Sequence, residues 1–479
     1  MTLALEILFW VSVFIVIYSY IGYGVLITII SKVPFLMKLF PKPVNYIREE
    51  YVVPDESNYI PYVSMIISAS GEPKEIIREK IINTLELNYP YDKLEVIFAI
   101  AYDSNLNNDE TVNEFYNAFM GDNFVMDLSE KEEELYARFL QFENINRSRD
   151  VEYLEAMEKN LFEVNANSEE IRENTKRKID EHLNSGDKLS KLKVLVTKDI
   201  ERKGKISQVN RTVSVASGEI LVFSDANSMF NKDSIKNLTK HFRNKQVGCV
   251  AGEKRVRKSH YSTSGEGEGL YWKYESYLKK IDSKIWTTVG AAGEIFAIRK
   301  SLWGIGIEHN AIIEDFVLSM RVAQNGYRVV YEPDAYAEED PTKDMKSEFI
   351  RRRRIAAGGF QSIVWLKGLL NPFKFRVLTF QYVSHRVLRW ALVPFLLPLI
   401  LFINIFLLSN SSPLYLALFV MQILIYIMSL IGYLLEKKKI KIKIFYLPYV
   451  IITMNIAAYV GLKRYLKSQQ NVVWERVSR

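Results

Sequence analysis

In this chain of 479 residues, two short acidic groupings and one basic run have residue types and spacings that could do chemistry. Asp225 and Asn227 flank Ala226 directly after the apolar run 220–223 (ILVF). Oxygen ligands two residues apart on extended backbone can share a divalent cation, Mg2+ or Mn2+, which in turn can bridge a diphosphate. Asp and Asn are equally ordinary turn residues. Glu314 and Asp315 follow Ala311, Ile312 and Ile313 and open a helical pattern with Phe316, Leu318, Met320 and Val322. The helix dipole favours acids at that position. Beside a metal-bound diphosphate, one of the two carboxylates could also take the proton from an attacking hydroxyl. Asp315 is the candidate base. Arg351, Arg352, Arg353 and Arg354 open the segment RRRRIAAGGFQSIVW. Guanidinium groups grip diphosphates through paired hydrogen bonds, and they also anchor lipid headgroups. The place of the run, between the acidic pair and a long apolar stretch, suits both roles.

These residues need a frame that puts them on one rim. Residues 62–68 (YVSMIIS), 94–101 (LEVIFAIA), 193–196 and 220–223 read as strands, and 74–87 and 205–216 read as helices. Strand, helix and strand at this spacing form βαβ units with a mostly parallel sheet. Ligands of such sheets bind beyond the carboxyl ends of the strands. The polar residues fall there: Ser68, Ala69, Ser70, Gly71 and Glu72 after the first strand, Asp103 after the second, and Asp225 to Asn227 after ILVF. Glycines 265, 267 and 269 beside Tyr271 and Trp272, and the run 290–293 (GAAG), read as small, flexible backbone near aromatics that could stack on a sugar ring. Neither matches a phosphate-cradling glycine loop.

Three uncharged runs flank this polar middle. Residues 7–31 hold 25 consecutive uncharged residues, enough for one membrane-spanning helix. A cleaved leader would have a basic start, a shorter apolar run and a small-residue cleavage site, none of which is present. The 46 residues of 390–435 are broken by Ser409 to Pro413 into two spans, and 444–462 form a run of 19. Lys32, Lys38 and Lys42 after the first span place its end, and the polar middle, in the cytoplasm. The loop with Lys437, Lys438, Lys439, Lys441 and Lys443 then lies inside as well. A fourth span would leave Lys463, Arg464 and Lys467 outside, so 444–462 is either a span or a re-entrant or interfacial element. The expected divisions are 1–40, a membrane helix; 60–345, the catalytic domain with an inserted helical region at 105–190; 346–387, an interfacial amphipathic segment with the arginines; 388–462, membrane helices; and 463–479, a tail.

Composition narrows the classes. The net charge of +7 divides into −11 over 105–190 (10 Lys and Arg against 21 Asp and Glu) and +18 elsewhere. The basic residues cluster at membrane borders, and no nucleic-acid-binding module is present, so nucleic acid is not an expected partner. A single cysteine, Cys249, excludes an intramolecular disulfide framework and a cysteine-based zinc site. The mean hydropathy of −0.04 averages membrane helices with a polar domain. The acidic insertion reads as a solvated helical decoration or as a docking surface for a partner subunit.

Taken in order, ASGEP (69–73), Asp103, Gly204-Lys205 with Asn210, SDAN (224–227), GEGLYWKYE (267–275), GAAG (290–293), IEDF (313–316), RRRRIAAGGFQ (351–361) and SHRVLRW (384–390) resemble the membrane-embedded family 2 glycosyltransferases. That group makes cellulose, chitin, hyaluronan and poly-N-acetylglucosamine. The resemblance implies a GT-A fold, an α/β nucleotide-sugar-binding domain, set between one N-terminal and about three C-terminal membrane helices. It implies a UDP-sugar donor contacted by Ala69, Ser70, Glu72, Asp103, Lys205, Asp225, Arg351 and Arg354. It further implies a metal on Asp225 and Asn227, a base at Asp315, and acceptor contacts from Gly293, Glu314 and Gln361. The family's QxxRW motif falls on 351–355, with Arg351 in place of its glutamine and Ile355 in place of its tryptophan. That departure removes an aromatic platform associated with polymer synthases. The implied activity is inverting sugar transfer to a glycan or glycolipid hydroxyl at the cytoplasmic face of the plasma membrane, in polysaccharide synthesis. The alternatives are a single-sugar transferase acting on a polyprenyl phosphate and a non-catalytic membrane scaffold.

Overall fold

The computed structural model describes residues 2–48, 59–69, 72–100, 127–128, 193–198, 205–257, 265–305, 307–308, 310–340, 345–410, 412–438 and 442–468. Most of the 105–190 insertion lies outside them, as do Ser70 and Asp103.

Among the described residues, nine strands form one sheet: β1 (Val63–Ala69), β2 (Leu94–Ile100), β3 (Asp127–Leu128), β4 (Lys193–Lys198), β5 (Ile220–Asp225), β6 (Met229–Phe230), β7 (Val247–Val256), β8 (Ile295–Arg299) and β9 (Arg328–Glu339). Their order is β3-β4-β2-β1-β5-β8-β7-β9-β6. β1, β2 and β5 are short, apolar and buried almost throughout, as strands covered on both faces must be. β1 pairs in parallel with both, Val63 lying opposite Leu94 and Ile220.

Most pairings are parallel, as expected, with antiparallel ones added at β8 and β6. The sheet is mixed, because β8 runs antiparallel to β5 and to β7, and β6 antiparallel to β9. The reversal serves the site. Ile295, at the start of β8, pairs with Ser224, near the end of β5, so the loop before β8 opens beside Asp225.

Side chains alternate across the sheet. Val63, Met65 and Ile67 point into one core with Ile77 and Ile81 of α2 (Lys74–Leu85). Ile66 points into the other core with Val209 and Val213 of α3 (Lys205–Val215) and Phe316 and Met320 of α5 (Glu314–Gln324). α4 (Gly265–Ile285) is a helix of 21 residues where the glycine-rich stretch reads as flexible backbone. Its buried residues Glu275, Leu278 and Asp282 recur at helical spacing, and that buried face outweighs the glycines.

Among the described residues, four helices are long and apolar enough to cross a membrane: α1 (Leu3–Lys32), α7 (Val377–Leu407), α8 (Pro413–Lys437) and α9 (within Lys443–Leu466). α7 begins 13 residues before the expected Trp390, so SHRVLRW lies inside it. α6 (Met345–Trp365) carries the arginines and packs on α9. Gly461 of α9 allows this: a Cβ there would stand 2.7 Å from the Ala356 Cβ and 2.9 Å from the Arg353 carbonyl oxygen.

Candidate active site

β5 ends on Asp225, and the chain turns at once. The Ser228 amide donates to the Asp225 carbonyl at 3.1 Å, and the Ala226 amide to the Ser68 carbonyl of β1 at 2.9 Å. Lys205, the first residue of α3, reaches across the strand ends. Its Nζ donates to Asp225 Oδ1 at 2.7 Å and stands 3.3 Å from Glu314 Oε1. Glu314 and Asp315 form the first turn of α5, where the helix dipole favours them. A Cβ added at Gly293 would lie 3.4 Å from Asp315 Oδ2 and 3.6 Å from Lys205 Nζ, so this glycine leaves open the space both groups face. Strand end, helix start and loop thus bring Asp225, Lys205, Glu314, Asp315 and Gly293 to one rim.

The electrostatics separate the carboxylates. Burial pushes Asp315 up to about 7, with the charges of Glu314 and Glu294 adding to the rise against the pull of Lys205. Burial also raises Asp225, against Lys205. Burial works against the Lys205 ammonium, yet Asp225 and then Glu314 hold it above its ordinary value. Arg354 joins from α6. Burial lowers it, while Glu314, Asp225 and Asp315 sustain its charge.

A polar chain beneath the rim was not legible as part of the site. Lys80 of α2, fully buried, donates to Ser224 Oγ at 2.7 Å and to the Ser228 carbonyl, clamping both sides of the Asp225 turn. Ser228 Oγ donates to Glu339, which Lys254 meets at 2.6 Å, and Lys254 in turn pairs with Glu294 beside Gly293. Lys80 did leave one signal: it interrupts the apolar helical face formed by Ile77, Ile81 and Leu85.

Other expected residues stand as follows. Ala69 ends β1, its carbonyl 3.5 Å from Gln208 Nε2, and Glu72 lies half-buried in the loop after it. Asn227 is half-buried in the Asp225 turn. Arg351 is buried against Glu348 through two bonds of 2.9 and 3.1 Å. Gln361 holds the loop before the acidic pair, accepting from the Ile312 amide at 3.0 Å and donating to the Asn310 carbonyl at 2.9 Å. It therefore bears on the site through that loop.

No group of three His, Cys, Asp or Glu among the described residues could hold a metal unaided. A cation that takes one or two protein oxygens and completes its shell from phosphates and water is a different case. Asp225, which meets Lys205 through Oδ1, and Asn227 on the same turn fit that pattern.

Residues 214–431 match the model of the family described as Glycosyl transferase family group 2. No curated protein sequence matches the chain. The mannosyltransferase PcManGT from Pyrobaculum calidifontis, solved with GDP-Man and Mn2+, is similar in structure at 19% identity and a TM-score of 0.59. That match covers 97% of this chain and 100% of the other. GalNAc-T7 with UDP, GalNAc and Mn2+ matches 60% of this chain and 45% of its own at 13% identity and a TM-score of 0.33. S. aureus TarS matches 67% and 43% at 13% identity and 0.36. Both overlap too loosely to bear on the fold. With residues 214–431 matching that family's model, a GT-A-like sheet and, among the described residues, four long apolar helices, the chain is a glycosyltransferase.

Proposed function

We propose that this enzyme transfers a sugar from a nucleotide diphosphate sugar, a UDP-sugar first among them, to an acceptor hydroxyl with inversion at the anomeric carbon. The observation that carries this reading is the Lys205 ammonium held between Asp225 and Glu314, with Asp315 on the same rim. Lys205 and Arg354 offer positive charge to the diphosphate. A divalent cation bound at Asp225 and Asn227 would add to that charge as a Lewis acid. The acceptor oxygen attacks the anomeric carbon as the bond to the diphosphate breaks, and the nucleoside diphosphate leaves with the bonding electrons. Asp315 takes the acceptor's proton, and a carboxylate lifted to about 7 is matched to that task near neutral pH. Glu314 and Gly293 border the acceptor side, and Gln361 fixes the loop behind them. The four apolar helices hold this chemistry at the cytoplasmic face of the plasma membrane, where the product enters a polysaccharide.

The test incubates membranes containing the protein with radiolabelled UDP- and GDP-sugars, with and without chelator, and sizes the products. A ladder of long chains supports polymer synthesis, and one sugar on a lipid supports single transfer to a polyprenyl phosphate. Activity lost to chelator and restored by Mn2+ or Mg2+ supports the Asp225 site; indifference to chelator removes it. No transfer from any donor would leave the scaffold reading.

A further inference from the structure

The segment SHRVLRW takes no part in the rim, yet it is buried and charged. It lies in the π-helical stretch Val383–Leu392 of α7, a geometry that recurs at functional sites. Arg386 donates to Glu275 of α4 through Nη2, and Nη2 and Nε reach the Val289 carbonyl at 3.2 and 3.3 Å. Its guanidinium carbon stands 5.9 Å from the Phe316 ring and 5.6 Å from the Trp390 ring, and those two rings meet edge to face at 5.0 Å.

Both contacts lead to the rim. Val289 opens the loop that carries Gly293, and Phe316 follows Asp315 in the chain. Loop and helix interlock there. Gly290 has a φ of +92°, and a Cβ at this position would stand 2.3 Å from the Phe316 ring. The Ala291 amide donates to Ser319 Oγ of α5 at 3.0 Å.

The other side of Arg386 is held just as firmly. Glu275 also meets His385 Nε2 and Arg389 Nη1, each at 3.3 Å. His385 Nδ1 is 2.6 Å from Asp282 Oδ2, and Asp282 accepts from Tyr23 of α1 and from Gln381. Glu275, Asp282 and His385 are at most 1% exposed. So many charges buried together are weak evidence for stability alone, and fixing one geometry is a better-attested use.

We propose that Arg386 is a positioning residue of the transferase: from the foot of α7 it fixes the loop 289–293 and the Asp315-bearing start of α5 relative to one another. As a statement about catalysis this rests on the sugar-transfer reading above. The test uses full-length protein in lipid nanodiscs and compares wild type with Arg386→Lys and Arg386→Gln. Lysine keeps the charge beside Glu275 but cannot also span to the Val289 carbonyl, so it reads the geometry even if the glutamine variant fails to fold. For Arg386→Lys the expected result is a kcat about a hundredfold lower, the scale of a small misplacement of reacting groups. The donor KM and UDP affinity stay within about twofold. Hydrogen exchange at the Ala291 amide becomes at least about tenfold faster. Unchanged exchange at Ala291 would overturn the proposal whatever the activity. So would a wild-type kcat, or UDP affinity and folded fraction falling together with kcat, which marks a packing role. A wild-type protein with a protected loop and no transfer from any donor would sink the sugar-transfer reading and leave the exchange comparison to judge Arg386.

Discussion

Asp315 and Asp225 stand on the same rim in different company, and this sets their chemistry apart. Asp225 has Lys205 at 2.7 Å, whereas Asp315 has Glu314 beside it in the chain and Glu294 among its charged neighbours. A carboxyl lifted to about 7 acts as a base only once deprotonated, so kcat/KM should rise with pH through about 7 with a slope of one proton and then level off. Asp315→Asn should lower transfer by at least about a hundredfold and keep UDP binding, read by turnover and by direct titration. The same substitution bears on stability with a definite sign. A carboxyl raised in the fold holds its proton more tightly folded than unfolded, so its contribution is lost as pH rises through the folded value. Asp315→Asn should therefore unfold about 2–4 °C above wild type at pH 8, and a lower Tm would count against the raised carboxyl. Lys80 is the residue-scale case that sequence could not settle. A lysine in a helix is ordinarily solvated, and only the fold places this one under the Asp225 turn. Lys80→Met should raise the Mn2+ concentration for half-maximal activity about tenfold by freeing the turn, at a cost of about 1–3 kcal/mol for the partners left unbonded.

Elements differ in how openly they announce themselves. β1, β2 and β5 are mostly apolar, buried runs, and their ends point to Ala69 and Asp225 without further help. β7 and β9 are harder, because Lys254 and Glu339 within them belong to a buried polar chain while their residue types suggest a solvated face. The antiparallel insertion of β8 is a pairing that local pattern does not carry, and through the Ile295–Ser224 pair it brings the loop with Gly293, which faces Asp315 and Lys205, to the end of β5. Helix contacts were hidden for the same reason. α9 read as a span or an interfacial element, yet it packs on α6, the helix that brings Arg354 to the rim. Gly461→Val should therefore impair transfer about tenfold. The atoms a side chain would meet include the Ala357 amide nitrogen at 2.8 Å and the Arg353 carbonyl at 2.9 Å, and backbone yields little. Gly304→Ala, with nothing within 4 Å, is the matched control and should keep full activity. Equal activity of the two variants would show that α9 does not set the position of α6.

At the scale of the whole molecule, charge and apolar length together are what support the proposed orientation. The remainder outside the acidic insertion carries +18, and lysines follow the C-terminal end of α1 and fill the loop between α8 and α9. Lys and Arg beside spans are retained in the cytoplasm. On the proposed cytoplasmic placement, the short connection between α7 and α8 faces outward, and the loop after α8 faces inward with the rim. Cys249 makes this testable in an otherwise native chain. It is the sole cysteine, it is 0% exposed, and burial raises its thiol far above the ordinary value, so it is inert to maleimides in the folded protein. Ser409 and Lys438 are both exposed and lie on opposite sides in this arrangement. In intact cells, a membrane-impermeant maleimide should label Ser409→Cys and leave Lys438→Cys unlabelled, and permeabilisation should make the second as reactive as the first. The reverse pattern would put the rim outside the cell, away from nucleotide sugars, and would overturn the cytoplasmic assignment along with the donor class. Labelling of both positions in intact cells would mean that α8 does not cross the bilayer, and the four apolar helices would then have to be read as a partly embedded bundle.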